Sequence, residues 1–204
     1  MKLLKEQFYD ILRLLINQIG IAIFSFLIYS SVSMIGVDSN ELKLQINLYV
    51  SIFATLFLFV LLYTVTWEYG AKDRIRVDGG RHEYDRFKGL KMAGFAYSPI
   101  VFLVALALLF GIIYLATAVN GFGTVQAVLA LLAGFFVLPY TGTVAFLLPL
   151  IGIENGHPYY TVAQEISYLV MILISIGVIQ FAYTMGYREK KIFASSKNKN
   201  SKKQ

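Results

Sequence analysis

The sequence predicts an all-α, polytopic helical membrane protein, with four full spans plus a Pro/Gly-broken re-entrant or interfacial segment. Three observations predict it. Hydrophobic residues make up 57% of the 204 residues and charged residues 15%, whereas a soluble domain carries about 25% charge. Apolar runs such as IAIFSFLIYSSVSMI and LYVSIFATLFLFVLLYTV belong to stretches long enough to cross roughly 30 Å of hydrocarbon, which takes about 20 helical residues. The basic residues, finally, collect in three segments set between the apolar ones. A helix is the form expected of each run, because a segment in lipid must satisfy its own N–H and C=O groups.

The opening MKLLKEQFYDILRLL mixes charges of both signs, and the apolar stretch that follows is too long for a signal-peptide core. The first span, about 14–35, is therefore expected to be retained. The second, about 48–66, leads into a charged stretch at 67–91 with seven Lys/Arg and five Asp/Glu. Within it RIRVDGGRHEY alternates around Asp78-Gly79-Gly80, a pattern that predicts a short β-hairpin. YDRFKGLKMAGFAYSP reads as a helix entering the third span, about 92–117, kinked or loosened at Pro99.

VQAVLALLAGFFVLPYTGTVAFLLPLIGI, at 125–153, is apolar enough to insert, but Pro139 and Pro149 each remove a backbone donor. Two full crossings do not fit in that length. Gly121, Gly123, Gly134, Gly142 and Gly152 interrupt it further, so a pair of half-helices is expected. A fourth span at about 162–185 follows, and then the low-complexity basic tail. Residues 1–191 thus form one transmembrane domain capped at 67–91, and 192–204 a disordered tail.

Charge sets the orientation. Cytoplasmic loops collect Lys and Arg. With the N-terminal segment, 67–91 and the tail all inside, seventeen basic residues lie inside and Lys43 alone lies outside. A single crossing by 125–153 would instead place the tail's seven basic residues outside, which makes a five-span arrangement the weaker alternative. The expected location is a plasma membrane with both termini cytoplasmic.

The chemistry-bearing residues are few. No cysteine is present, which excludes disulfides, thiolate metal sites and a Cys nucleophile. DGGR with Asp73, Asp78, Glu83 and Asp85 resembles part of the acid-rich motif of CDP-alcohol phosphatidyltransferases. No Asp or Glu follows until Glu154, so their converging metal-binding carboxylates are missing. No phosphate-binding loop, HExxH or GxSxG occurs, and His82 and His157 fall on opposite sides of the membrane. No catalytic residue, cofactor or metal is assigned, and nucleic acid is not an expected partner.

The acids of 67–91 are expected to pair with its bases at little net energy and to be individually dispensable. Arg74, Arg76, Arg81 and Arg86 are candidates for docking anionic lipid headgroups or a membrane protein partner, a second copy included, since basic juxtamembrane clusters favour an anionic leaflet. Asn17, Gln18 and Gln180 fall at membrane depth, where interhelical hydrogen bonding accounts for Asn17 and Gln180. Glu165 and Gln164 stand at the outer start of the fourth span, where interfacial water is the plainer expectation for Glu165. With Pro139 and Pro149 they form the candidate ligand site, because broken helices expose backbone groups to transported substrates and ionisable groups at depth mark function. Trp67, Tyr69, Tyr159, Tyr160 and Tyr187 suit interfacial belts.

The stretch carrying Gly70, Lys72, Asp73, Asp85, Gly89, Leu90, Lys91 and Pro99 resembles one found in small uncharacterised multi-span membrane proteins of Gram-positive bacteria. That resemblance implies a bacterial plasma membrane and no particular activity. Two functions are carried forward: a non-enzymatic transport or transport-accessory protein, and a regulatory or assembly subunit of a larger membrane complex. A lipid-modifying enzyme is disfavoured by the missing carboxylate, His and Cys constellations.

Overall fold

The computed structural model describes residues 2–34, 40–80, 83–154, 157 and 159–188. Among these the chain is helical, with five helices in order: α1 Lys2–Met34, α2 Asn40–Asp78, α3 Lys88–Thr117, α4 Asn120–Leu150 and α5 Tyr160–Tyr187. All five are long and apolar enough to cross a membrane. The tail at 192–204, Arg81 and His82 lie outside the described residues.

No strand occurs among the described residues, so the hairpin expected around Asp78 is corrected. α2 continues through RIRVD instead, braced by an Arg74–Asp78 pair at 3.4 Å across one helical turn. The two glycines then end the helix. Gly79 N–H donates to Ile75 O and Gly80 N–H to Val77 O, with Gly80 at φ 67. The left-handed freedom that favours a tight hairpin serves a helix C-terminus equally well. α2 is consequently 39 residues long, about 58 Å, and its last turns project beyond what roughly 30 Å of hydrocarbon covers.

The helices pack with a common charged end. Lys88 at the start of α3 pairs with Asp73 near the end of α2 at 2.5 Å, which makes the two antiparallel. α5 runs antiparallel to α3: its end places Gln180 and Tyr183 on Gly89, and its start places Val162 on Gly111. Tyr84 and Tyr187 meet with ring centroids 4.1 Å apart. α1 brings Tyr9 and Asp10 to the same end, beside Tyr69, Lys72 and Asp73. The N-terminal turns of α1, the 67–91 stretch and the end of α5 therefore share one pole, and α3 ends where α5 begins, at the other.

Glycine sets the closest approach. A Cβ on Gly186 would collide with the Trp67 carbonyl, and one on Gly70 with the Tyr183 carbonyl, so α2 and α5 cross there backbone to backbone.

α4 departs from the expected pair of half-helices, being helical from Asn120 to Leu150 with Pro139 and Pro149 inside it. It is nevertheless not straight. Gln126 lies against Gly111 and Val162 at the pole opposite the charges. Gly142 lies against Asn47 and Ser51, near the start of α2 and at that same pole. On a straight helix these two residues would stand about 24 Å apart along the axis. Between them, the Phe136 carbonyl accepts a 2.8 Å bond from Gln18, in the middle of α1. These contacts with one pole call for a bend in α4, and Pro139 lies between them.

Around Pro139 the backbone ladder is opened and stitched from outside. Ser51 Oγ and Thr55 Oγ1 donate to the Pro139 carbonyl at 2.7 and 2.8 Å. Thr143 N–H donates to Ser51 Oγ at 3.0 Å, and Gly142 N–H to the Tyr29 hydroxyl at 3.3 Å. The missing N–H of Pro139 leaves the Phe135 carbonyl without its helical donor, while hydroxyls of α1 and α2 bond the Pro139 carbonyl and the Gly142 and Thr143 amides, the kind of partner that lets irregular backbone persist in lipid.

Candidate functional site

Glu165 is the residue on which the site is built. One turn into α5, it is 3% exposed, which corrects the expectation of interfacial water. The burial is imposed from a distance, because the bend in α4 lays its middle across this face of α5. The carboxylate faces a cavity of about 360 Å³ lined by Phe26 of α1, by Ala130, Leu131, Gly134, Phe135, Leu138 and Thr141 of α4, and by Gln164, Glu165 and Tyr168 of α5.

Polar groups in this cavity are arranged asymmetrically. Gln164 donates through Nε2 to the Tyr168 hydroxyl at 2.6 Å, so those two satisfy each other. Glu165 Oε2 is buried without a hydrogen-bond partner. A buried acceptor left open is rare in folded proteins.

Of the sequence candidates, Glu165 and Gln164 are brought together in this wall. Pro139 is buried beside it and shapes it through the bend, with its neighbour Leu138 on the lining. Pro149 is exposed near the end of α4 and does not line the cavity. Phe26 and Tyr168 were not foreseen. No local signal marks them, since each is one aromatic among many until α4 is folded beside it.

The charged pole is a separate construction. Asp73, 8% exposed, accepts from the Tyr183 hydroxyl at 2.9 Å and is ion-paired with Lys88 at 2.5 Å and Arg76 at 3.6 Å. A smaller cavity of about 170 Å³ beside it is edged by Tyr9, Asp10, Tyr69, Lys72 and Met92. Burial acts to lift the Asp85 carboxyl, but the Lys91 ammonium at 2.6 Å and the Phe87 amide prevail and hold it below the usual carboxylate range.

The docking arginines divide accordingly. Arg74 and Arg76 are paired with Asp78 and Asp73, Arg86 lies 5.9 Å from the Phe87 ring centroid, and Arg81 falls outside the described residues. The expected pairing of acids with bases is present in this stretch. Gln180 joins the elements here, donating to Arg86 O at 2.8 Å and accepting from Leu90 N–H at 2.7 Å. Gln18 bonds across helices to the Phe136 carbonyl and the Tyr97 hydroxyl, whereas Asn17 Nδ2, expected to do so, is buried without a hydrogen-bond partner among the described residues.

No group of three or more His, Cys, Asp or Glu suited to a metal ion occurs among the described residues. No family model matches the chain, and no curated protein or solved structure matches it.

Proposed function

We propose that this is a small integral membrane protein of four spans, α1, α2, α3 and α5, with α4 as a re-entrant helix. We assign it a non-enzymatic transport or transport-accessory role centred on the Glu165 cavity. Two observations support this reading of the spans: α3 ends where α5 begins, and Gln126 and Gly142, on either side of Pro139 in α4, both touch that same pole. The described basic residues near the start of α1, the end of α2, the start of α3 and the end of α5 collect at the opposite pole, which under the positive-inside rule is the cytoplasmic one. The resemblance carried by Gly70, Lys72, Asp73 and Gly89 favours a bacterial plasma membrane.

One observation carries the functional reading. An almost fully buried carboxylate with an open oxygen faces an apolar cavity, formed where a proline bends a helix back. Intramembrane ionisable groups facing a cavity mark substrate paths, and bent or broken helices at such sites are a transporter device. The experiment is native mass spectrometry of the purified chain, compared with Gly134→Leu, a change that fills the cavity where a side chain now meets open space. A small molecule retained by the wild type and lost from Gly134→Leu upholds the reading. Retention of a stoichiometric protein partner by both, with no small molecule, replaces it with the assembly role.

A further inference from the structure

Resting on the cavity reading above, we infer that the ligand is an amphipathic organic cation taken sideways from the outer half of the bilayer. The lining is mostly apolar, with Phe26, Leu131, Phe135 and Leu138 prominent, and among the described residues no Lys or Arg belongs to it. The one carboxyl among its described residues is Glu165, 3% exposed, with Oε2 lacking a hydrogen-bond partner among the described residues. A carboxyl enclosed in this way is held as the neutral acid unless a positive partner comes beside it. Since the wall supplies none, the counter-charge arrives with the occupant.

The rest of the occupant follows from the walls. The rings of Phe26, Phe135 and Tyr168 offer apolar surface and faces that attract a cation. A volume of about 360 Å³ falls in the range of pockets that enclose organic ligands, roughly 300–1,000 Å³. The mouth explains the route. Leu131, 77% exposed, and Phe26, 52% exposed, edge the cavity, and apolar side chains exposed at this depth face hydrocarbon rather than water. A strongly hydrated cation would not enter by that door, whereas one with an apolar body concentrates at the membrane interface beside it. A free lipophilic amine or phosphonium and the ammonium of a lipid headgroup share this chemistry.

The test uses two ions of one shape and opposite charge. The full chain is placed in nanodiscs of digalactosyldiacylglycerol, which carries neither net charge nor ammonium, and saturable binding of tetraphenylphosphonium and of tetraphenylborate is measured above empty discs. The expected result is saturable binding of the cation alone, weakened at least tenfold in Glu165→Gln and lost in Gly134→Leu. Equal saturable binding of both ions by the wild type overturns the inference, and needs no variant to fold. So does cation binding by Glu165→Gln as tight as wild type, or no saturable binding of either ion. In those cases a small molecule still retained by wild type and lost from Gly134→Leu leaves the cavity's role standing. Adding phosphatidylethanolamine separates the sources: a tenfold loss of phosphonium binding assigns the site to a headgroup ammonium, and unchanged binding assigns it to a free cation.

Discussion

Three carboxylates of the charged pole carry different weights. Asp73 is buried and meets two cations and a hydroxyl from three helices, while Asp78 makes one intrahelical pair with its side chain 67% exposed. Removing one partner of a buried pair leaves the other charge uncompensated, at roughly 3–5 kcal/mol, whereas an exposed pair is worth about 0–1 kcal/mol. Asp73→Asn should therefore lower stability by about 3 kcal/mol and reduce protein abundance, and Asp78→Asn should change neither measurably. Thermal unfolding in detergent checks both. Asp85 adds a pH signature. Its folded-state pKa is depressed, so its contribution is present above the usual carboxylate range and fades as pH falls through the folded pKa. Sequence treated these acids as equals because their difference lies in what α3 and α5 bring to Asp73, which no local pattern contains.

At the scale of elements, the stitch on α4 is the testable device. Ser51 and Thr55 both donate to the Pro139 carbonyl, and a buried carbonyl left unpaired costs about 1–3 kcal/mol. The double change Ser51→Ala with Thr55→Ala should destabilise by that amount and speed hydrogen exchange at the amides of Gly142 and Thr143, which then lose order in their surroundings. Pro139→Ala should act in the opposite sense on the ladder, restoring a donor and straightening α4, and should distort the Glu165 cavity with it. Unchanged exchange at 142 and 143 in the double variant would mean that the hydroxyls do not hold the bend. The span positions were legible because each is a contiguous apolar run that needs no partner to be recognised. The two prolines also announced an irregular 125–153. That one of them bends a helix while the other merely rides near its end depends on hydroxyls some 85–90 positions away, so it could not be read locally. The Asp-Gly-Gly misreading has another cause: positive-φ glycine ends helices and turns hairpins alike.

The molecule as a whole makes a prediction about sides. If α4 is re-entrant, its two flanks face the same compartment. In this cysteine-free chain, Val119→Cys and Ile151→Cys, at positions that are both well exposed, should label with an impermeant thiol reagent in intact cells. Glu83→Cys and Ser196→Cys should label only after permeabilisation. Labelling of 119 without 151 in intact cells would require α4 to cross and would give the five-span arrangement. The clustering of charge already pointed to this polarity in the bare sequence, because the positive-inside rule counts residues and needs no coordinates.

The glycine crossing of α2 and α5 also implies an order in time. Gly70 and Gly186 meet backbone to backbone, yet synthesis at roughly 5–20 residues per second separates their emergence by on the order of ten seconds. During that interval α2 has no closing partner, and the Asp73 that Tyr183 will later contact waits at the membrane edge. A half-made chain is thus a bundle with its seam open, exposed to quality-control proteases until the last helix arrives. Chains truncated before Tyr160 should turn over much faster than the full chain in a pulse-chase experiment. Gly186→Leu, which blocks the seam without shortening anything, should shorten the lifetime of the complete protein in the same way.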